Sequence, residues 1–324
     1  YKYVWTSASG CTDTASVVVG NACGCANPPT VTISPKTGSI CAGQTQVVSG
    51  VFGGSATLVT YSSSGTGTFG VATASASPFN VTYTPSTADN TAGTVTLYAT
   101  TNNPLGSPCP IRVDSFVLTI NPAPIATASN TGPYCAGATV ALSSGGGSSY
   151  SWSGPLAYAN GTQNPLLTNA TTTMAGVYTV TVTSAATCTA TASTNVVVNA
   201  NPTATASNAG PYCPGTTIAL TGGAAGNTYS WSGPNSFTNA TQSPSITGAT
   251  AIMGGTYTIT VTSAANCTAT ASTNVVINAA PSASASNTGP YCEGATISLT
   301  GGVSGLTSYA WSGPNTYSNG TQSP

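Results

Sequence analysis

The sequence predicts an all-β chain built from small β-sandwich domains in tandem, and three observations support that prediction. The tetrapeptide Gly-Pro-Tyr-Cys occurs three times, ending at Cys135, Cys213 and Cys292, so a unit of about 79 residues recurs. Apolar and hydroxyl residues alternate along short segments, which is typical of half-buried β-strands. Helix-forming residues nowhere recur with a 3.6-residue period over about 12 residues.

Within one repeat, the alternation marks individual strands. Residues 139–143 and 178–183 alternate apolar and hydroxyl side chains, and residues 195–199 and the surroundings of Trp152 predict two further strands. Clusters of Gly, Pro and Asn separate these segments and indicate turns. A sandwich of about seven short strands per repeat is therefore expected.

Proline-containing joints divide the chain at residues 121–124, 199–202 and 278–281. Proline fixes φ and has no N–H to donate to a sheet, so each joint ends one domain and stiffens the start of the next. We expect five segments. They are the C-terminal strands of a truncated repeat at 1–25, a divergent repeat at 27–121, whole repeats at 122–200 and 201–279, and the N-terminal half of a further repeat at 280–324.

The composition argues against several classes of partner. Only 2% of the side chains are charged, the net charge is −1 and histidine is absent, whereas about 25% of residues are charged in ordinary globular proteins. So few basic residues cannot neutralise a run of phosphates, which argues against nucleic acid as a partner. No apolar run approaches the roughly 20 residues that span a bilayer. We expect neither nucleic-acid binding nor insertion of this segment into a membrane.

The same composition leaves little for catalysis. Nucleophilic catalysis needs a base beside Ser or Cys, and the repeats have no histidine and almost no acid. The pattern Gly65-x-Gly67-x-x-Gly70 matches a dinucleotide-binding loop, but residues 71–78 have no helical character to follow it. Ten cysteines without histidine do not show the tight ligand spacing of a zinc site. We expect no enzymatic activity, catalytic residue, cofactor or metal.

Several motifs follow one another in a fixed order within a repeat. They are Cys-x-Gly, an apolar strand, Trp-Ser-Gly-Pro, Gly-x-Tyr-Thr-Val-Thr-Val-Thr and Cys-Thr-Ala-Thr-Ala, carried by Cys135, Gly137 and residues 152–155, 176–183 and 188–192. This order resembles the immunoglobulin-like repeats of giant bacterial surface proteins, notably gliding-motility adhesins of the Bacteroidota type. The resemblance covers residues 122–324 well and the first unit loosely. It implies a tandem array of immunoglobulin-like β-sandwich domains, export to the outer surface through a type IX route, and work as an adhesin or fibre.

The cysteines are interpreted as structural disulfides of an oxidising, extracellular setting. Two pairing schemes are open. Pairing within each repeat joins Cys41 to Cys109, Cys135 to Cys188 and Cys213 to Cys267.

The topology of an immunoglobulin-like sandwich favours the other scheme. The two cysteines of a repeat lie near opposite poles, and disulfides tolerate Cα separations of only about 4.4 to 6.8 Å. Because the pole of one domain faces the pole of the next, Cys41 with Cys188 and Cys135 with Cys267 form the alternative pairs. In the scheme of pairing within repeats, Cys11 and Cys292 have partners outside the segment. Cys23 and Cys25 pair with each other or with segments outside it.

Aromatic residues recur with the same period. Trp152, Trp231 and Trp311 are expected in the core, because sandwich domains usually bury a tryptophan on the third strand. Tyr158, Phe237 and Tyr317 each follow six residues later, near a predicted loop, and are the candidate surface contacts for a ligand.

Exposed strand edges are commonly guarded by charged residues, which this chain almost lacks, so self-association into filaments or with neighbouring repeats is expected. Our leading hypothesis is a non-catalytic structural segment of a secreted cell-surface fibre or adhesin stalk, with surface glycans as a further partner. The alternative is an accessory or carbohydrate-binding region of a larger secreted polysaccharide-degrading enzyme. Both place the chain outside the cell.

Overall fold

Strands form where apolar and hydroxyl side chains alternate. In the strand Gly176–Thr183, Tyr178, Val180 and Val182 are at most 1% exposed, and the threonines between them point to the opposite face. The strands predicted at 139–143, at 178–183 and around Trp152 are confirmed. The strand predicted at 195–199 is interrupted, because one strand ends at Val196 and another begins at Val198.

The computed structural model describes residues 2–16, 25–223, 228–302 and 306–324. The chain divides into two compact units, Tyr1–Val198 and Asn199–Pro324. The first unit begins with an antiparallel hairpin of β1 (Lys2–Thr6) and β2 (Thr12–Ser16), in which Val4 faces Thr14.

Residues 27–121 form a two-sheet sandwich. One sheet has the order β3-β5-β9-β7 and the other the order β4-β11-β10-β6-β8, with β4 and β11 parallel. One helix of six residues, α1 (Thr87–Ala92), precedes β10. The strands are β3 (Thr30–Ile33), β4 (Thr37–Cys41), β5 (Gln46–Gly53), β6 (Val59–Ser63), β7 (Thr68–Phe69), β8 (Thr73–Ala74), β9 (Phe79–Thr84), β10 (Thr94–Thr101) and β11 (Val113–Asn121).

The core of this sandwich lies between its sheets. Val59, Tyr83 and Leu118 are fully buried, together with ten further apolar residues contributed by both sheets. Two sheets packed face to face over one apolar core, with the chain crossing from β3 in one sheet to β4 in the other, form an immunoglobulin-like sandwich.

The repeat 122–200 has the same plan. Its sheets have the orders β12-β14-β17 and β16-β15-β18-β19, and β13 pairs with β20. There are nine strand segments instead of about seven, because the first and last strands are each broken in two. The segments are β12 (Thr127–Asn130), β13 (Tyr134–Cys135), β14 (Val140–Gly145), β15 (Ser149–Gly154), β16 (Tyr158–Asn160), β17 (Leu166–Leu167), β18 (Gly176–Thr183), β19 (Thr189–Val196) and β20 (Val198–Asn199).

Short 3₁₀ turns, Pro155–Ala157 and Thr172–Met174, connect strands of this repeat. Its core is a separate cluster around Trp152, whose Nε1 donates to the carbonyl oxygen of Gln163 at 3.3 Å.

The second unit contains the repeat 201–279 and residues 280–324. Its sheets have the orders β21-β22-β25 and β24-β23-β26-β27, followed by the pairs β28-β29 and β30-β31. Trp231, Tyr257 and Ile259 are buried at its centre. The strands are β21 (Ala206–Asn208), β22 (Ile218–Gly222), β23 (Thr228–Gly233), β24 (Phe237–Asn239), β25 (Ser245–Ile246), β26 (Gly255–Thr262), β27 (Thr268–Val275), β28 (Ala285–Asn287), β29 (Leu299–Gly301), β30 (Trp311–Ser312) and β31 (Ser318–Asn319), with 3₁₀ turns at Ala251–Met253 and Pro314–Thr316.

The recurring Gly-Pro-Tyr-Cys motif has an architectural role. The Tyr134 hydroxyl accepts from the N–H of Thr131 at 3.1 Å and donates to the carbonyl of Ala141 at 3.3 Å. The ring folds back over Gly132, where an added Cβ would lie 2.7 Å from Tyr134 Cε2 and 2.9 Å from Asn130 Oδ1. The motif therefore fastens the start of each repeat to its next strand, and glycine leaves the space for the ring.

Candidate functional site at the junction of two sandwiches

A disulfide joins the sandwich 27–121 to the repeat 122–200. Cys41 and Cys188 are 147 residues apart in sequence, yet their Cα atoms are 5.5 Å apart, within the normal range for a disulfide. Cys41 is the last residue of β4, and Cys188 lies in the turn between β18 and β19. The bond therefore connects the end of one domain to a turn of the next.

Asn121, the last residue of β11, organises the first side of this junction. It is the register partner of Cys41, and its Nδ2 donates to Ser39 Oγ at 2.7 Å and to the Ile40 carbonyl at 3.3 Å. Its own carbonyl accepts from the N–H of Ala42 at 2.8 Å. The main chain on both sides of Cys41 is thereby held against the strand that leads into the joint.

The turn that carries Cys188 is fixed by its own hydrogen bonds. The N–H of Ser184 donates to the Cys188 carbonyl at 2.8 Å, and the N–H of Cys188 donates to Ser184 Oγ at 3.2 Å. Thr187 adopts a positive φ of 66° that closes the turn. Cys188 is 1% exposed. The sulfur is thus presented from a rigid turn and shielded from solvent.

The structure corrects the pairing within repeats. Cys41 is bonded to Cys188 and Cys109 to Cys25, with Cα atoms 4.8 Å apart in the second bond. Neither Cys41–Cys109 nor Cys135–Cys188 is therefore formed. The physical reason is the position of each cysteine in the sandwich. Cys41, at the end of β4, lies beside the β18–β19 turn of the following domain and not beside Cys109 of its own domain.

The remaining cysteines differ in state. Cys135 and Cys267 each take part in a disulfide. Cys213 is an exposed free thiol, so the pair Cys213–Cys267 is not formed either. Cys11 and Cys292 are likewise exposed free thiols. Cys23 lies outside the described residues.

The predicted aromatic positions fall into two groups. Trp152 and Trp231 are 1% and 0% exposed and lie in the cores, while Trp311 is half-buried. Tyr158 and Phe237 are half-buried as well, because each ring packs edge-on at 5.4 Å. They pack against Tyr178 and Tyr257, respectively. Tyr317 is 41% exposed.

A buried carboxylate explains the glycine-rich pattern of the sandwich 27–121, and it belongs to Asp89, the acid that follows that pattern in the sequence. Asp89 is 2% exposed and accepts from the N–H of Thr66 at 2.9 Å, the N–H of Ser86 at 3.0 Å and the Tyr83 hydroxyl at 2.7 Å. A Cβ at Gly65 would collide with this carboxylate. The loop is therefore built around an internal acid of the chain. The signal in the sequence is Ser86-x-x-Asp89, a helix capping box.

Two carboxyl groups of this sandwich have lowered pKa values. Burial acts to raise the pKa of Asp89, but the N–H donors of Ser86 and Thr66 and the Tyr83 hydroxyl outweigh it. Burial also opposes ionisation of Asp114. Its ion pair with Lys36 and the N–H of Ile33, at 2.7 Å, nonetheless hold that pKa below its ordinary value. Both groups support the sandwich as carboxylates.

Neither a metal centre nor a membrane span is found in the described part of the chain. Among residues 2–16, 25–223, 228–302 and 306–324, no three His, Cys, Asp or Glu residues are close enough to hold a metal ion. Over the same residues, each helix is too short and too polar to cross a bilayer.

No protein-family model matches the chain, and no curated protein matches its sequence. Among solved structures, it is similar to immunoglobulin domains 1–5 of Sidekick-1, with 15% identity, 78% of this chain and 59% of that chain covered, and a TM-score of 0.30. It is also similar to the insect immune protein hemolin, with 15% identity, coverages of 77% and 76%, and a TM-score of 0.31. The N-terminal eight immunoglobulin domains of Down Syndrome Cell Adhesion Molecule show 14% identity, coverages of 88% and 46%, and a TM-score of 0.27.

The chain thus spans 59% of the Sidekick-1 structure. At these scores the comparisons carry no argument about function, and the fold class rests on strand order and register. By those criteria the chain is an all-β tandem array of immunoglobulin-like β-sandwich domains.

Proposed function

We propose that this chain is a non-catalytic structural segment of an extracellular fibre or adhesin stalk that carries tension. The observation that supports this proposal is the Cys41–Cys188 bond. A covalent link between successive domains is useful where the domains are pulled along the chain.

The path of a pulling force shows what the bond does. Force that enters along β3 and β4 reaches Cys41, passes through the sulfur atoms to Cys188 and continues along β19. Residues 42–187, which contribute most of both apolar cores, lie outside this path, whereas Ile33, Val196 and Val198 lie on it. Residues 42–187 consequently cannot be extended by the force while the disulfide is intact.

The disulfides also support an extracellular location. Cys25–Cys109 and Cys41–Cys188 are stable in oxidising compartments and are reduced in a typical cytosol. The order of repeat motifs, which resembles Bacteroidota-type surface adhesins, agrees with display on a cell surface. Association of such segments into filaments belongs to the same proposal.

The alternative, an accessory region of a secreted polysaccharide-degrading enzyme, has less support from the aromatic positions. Tyr158 and Phe237 pack against Tyr178 and Tyr257. Both rings are half-buried, which leaves less of each ring open to a sugar, whereas Tyr317 is 41% exposed.

Single-molecule pulling from residues 2 and 324 tests the proposal. The separation of 147 residues between Cys41 and Cys188 corresponds to about 500 Å of extended chain at about 3.4 Å per residue. We expect this length to appear only after a reducing agent is added. Full extension of residues 42–187 without reduction would overturn the mechanical role.

Thiol labelling in cells that produce the protein tests the location. Without a reducing agent, a membrane-impermeant maleimide should label the exposed thiols of Cys11 and Cys213 on intact cells. Labelling only after lysis would contradict the extracellular assignment.

A further inference from the structure

On one sheet of the repeat 122–200, nine neighbouring outward positions are hydroxyl side chains, and Val177 and Asn195 lie at the end of the same face. On β15, β18 and β19, three successive outward positions per strand are Ser or Thr, while Trp152, Val180 and Val182 point inward. We call these nine residues the first hydroxyl face. The strand registers place them in rows: Ser153–Thr179–Ser193, Ser151–Thr181–Thr191 and Ser149–Thr183–Thr189.

The repeat 201–279 has the same face on β23, β26 and β27. Again nine neighbouring outward positions are Ser or Thr, Asn274 lies at the end of the same face, and Trp231, Ile259 and Val261 point inward. We call them the second hydroxyl face. Its rows are Ser232–Thr258–Ser272, Ser230–Thr260–Thr270 and Thr228–Thr262–Thr268.

The central row of each face is free to bind. Thr179 and Ser193 share a hydrogen bond of 2.8 Å in one outer row, as do Thr258 and Ser272 in the other face. Within the described residues, the side chains of the two central rows make no hydrogen bond to other protein groups. Each hydroxyl can donate one hydrogen bond and accept two.

The corresponding sheet of the sandwich 27–121 lacks this uniformity. Its outward positions on β6, β10 and β11 include Tyr98, Val113 and Val117 among the hydroxyl residues. A β-sheet of this fold therefore does not have to carry hydroxyl groups at every outward position. The blocks of nine neighbouring Ser and Thr side chains are therefore a property of the repeats.

We propose that the hydroxyl faces bind a neutral polysaccharide, which gives the proposed adhesin stalk its target. From residue 122 onward the only charged side chain is Glu293. An anionic polymer would find no countercharge there, whereas the hydroxyl groups of a neutral polysaccharide can both donate to and accept from Ser and Thr. This inference rests on the proposed function.

The area of each face favours a polysaccharide over a second copy of the chain. Three strands about 4.8 Å apart and three rows about 6.8 Å apart cover roughly 300 Å². Stable protein–protein interfaces bury about 800 Å² on each partner. A face of about 300 Å² suits a few sugar units.

The twist of the sheet favours a flexible polymer over a crystalline surface. Adjacent strands rotate by about 20 to 25°, so the rows of a face do not lie in one plane. A single polysaccharide chain can follow that twist, but ice or a crystalline fibril cannot.

Binding of residues 1–324 to immobilised dextran, galactomannan and hydroxyethyl cellulose tests the proposal, with carboxymethyl cellulose as the charged counterpart. The test variant removes the central rows by S151A, T181V, T191V, S230A, T260V and T270V. The control variant, T60V with T100V, makes the same kind of change on the sheet of 27–121. Circular dichroism checks that both variants keep the fold, because Val is accepted at exposed strand positions.

We expect binding to at least one neutral polymer, a dissociation constant at least tenfold higher in the test variant, and no change in the control. Equal binding by the test variant, stronger binding to the anionic polymer or absence of binding to every neutral polymer would overturn the inference. So would self-association of the chain that the test variant abolishes. The disulfide-dependent extension described above does not depend on sugar, so its failure and the failure of this inference are distinguishable.

Discussion

The Sγ atom of Cys188 lies 3.8 Å from the carbonyl oxygen of Asn121, the residue at which the sandwich 27–121 ends. The disulfide is therefore placed beside the peptide joint instead of at the far side of either domain. Two covalent routes, the joint and the disulfide, run side by side through this junction. Tilting of one sandwich against the other is resisted by both.

Tryptic mapping should show three fragments held together by two disulfides. Cleavage after Lys2, Lys36 and Arg112 separates residues 3–36, 37–112 and 113–324. Because Cys25–Cys109 and Cys41–Cys188 connect these fragments in series, a non-reduced, alkylated digest should contain all three in one species on mass spectrometry. Pairing of Cys41 with Cys109 would instead release 37–112 as a separate peptide.

Removing the junction disulfide should let the two sandwiches move more freely relative to each other, while each one stays folded. In the variant C41S/C188S, each core remains complete, because the clusters around Leu118 and Trp152 are separate. We expect a broader distance distribution in small-angle scattering and unchanged protection of both cores in hydrogen exchange. C213S, which removes an exposed free thiol, is the matched control. Superimposable scattering from C41S/C188S and the native chain would argue against a role for the bond.

Replacing the buried acid should weaken the sandwich 27–121 alone. D89N puts an amide nitrogen next to a hydrogen-bond donor, Tyr83 or a backbone N–H, and should lower the free energy of unfolding by about 1–3 kcal/mol. The control D13N changes an exposed residue of the first hairpin and should remain within about 0.5 kcal/mol. Denaturant unfolding followed by hydrogen exchange of residues 30–121 measures the difference. A D89N value equal to that of D13N would contradict the role assigned to Asp89.

Acid should affect the two kinds of domain differently. The pKa values of Asp89 and Asp114 are lowered in the folded state. Their contribution is therefore complete above the unfolded value of about 3.9 and is lost as pH falls through the folded values. Residues 122–279 contain no Asp, Glu, Lys, Arg or His. Below about pH 4, hydrogen exchange should reveal opening of 27–121 while the repeats stay protected. Simultaneous opening would show that another effect dominates.

Alkali should destabilise the repeats, which acid leaves intact. Burial raises the pKa of Tyr178 and of Tyr257 above the ordinary value near 10. Stability from these neutral phenols is complete below the unfolded value and is lost as pH rises through the folded values. The midpoint temperature of thermal unfolding, followed by the fluorescence of the buried Trp152 and Trp231, should therefore fall above about pH 10. Y178F should reduce this dependence in the repeat 122–200, and an unchanged alkaline response would contradict the assignment.

Local pattern was sufficient to predict the strands at 139–143, at 178–183 and around Trp152. Tyr178, Val180 and Val182 face the core because side chains alternate between the two faces of a strand. The short helix Thr87–Ala92 was missed because six residues are too few for a period to show. Asn121 was placed in the predicted joint 121–124, but the sequence alone cannot show which strand its amide contacts.

The sequence by itself determined the period, the all-β class and the alternation that turns hydroxyl groups outward and apolar groups inward, because these depend on neighbours only one or two residues apart. Only the tertiary structure decided that Cys41 meets Cys188, that Asp89 is enclosed by the loop at Gly65, and that the hydroxyl groups of three strands align in rows. Each of these depends on distances between residues far apart in sequence, which strand register and domain packing set.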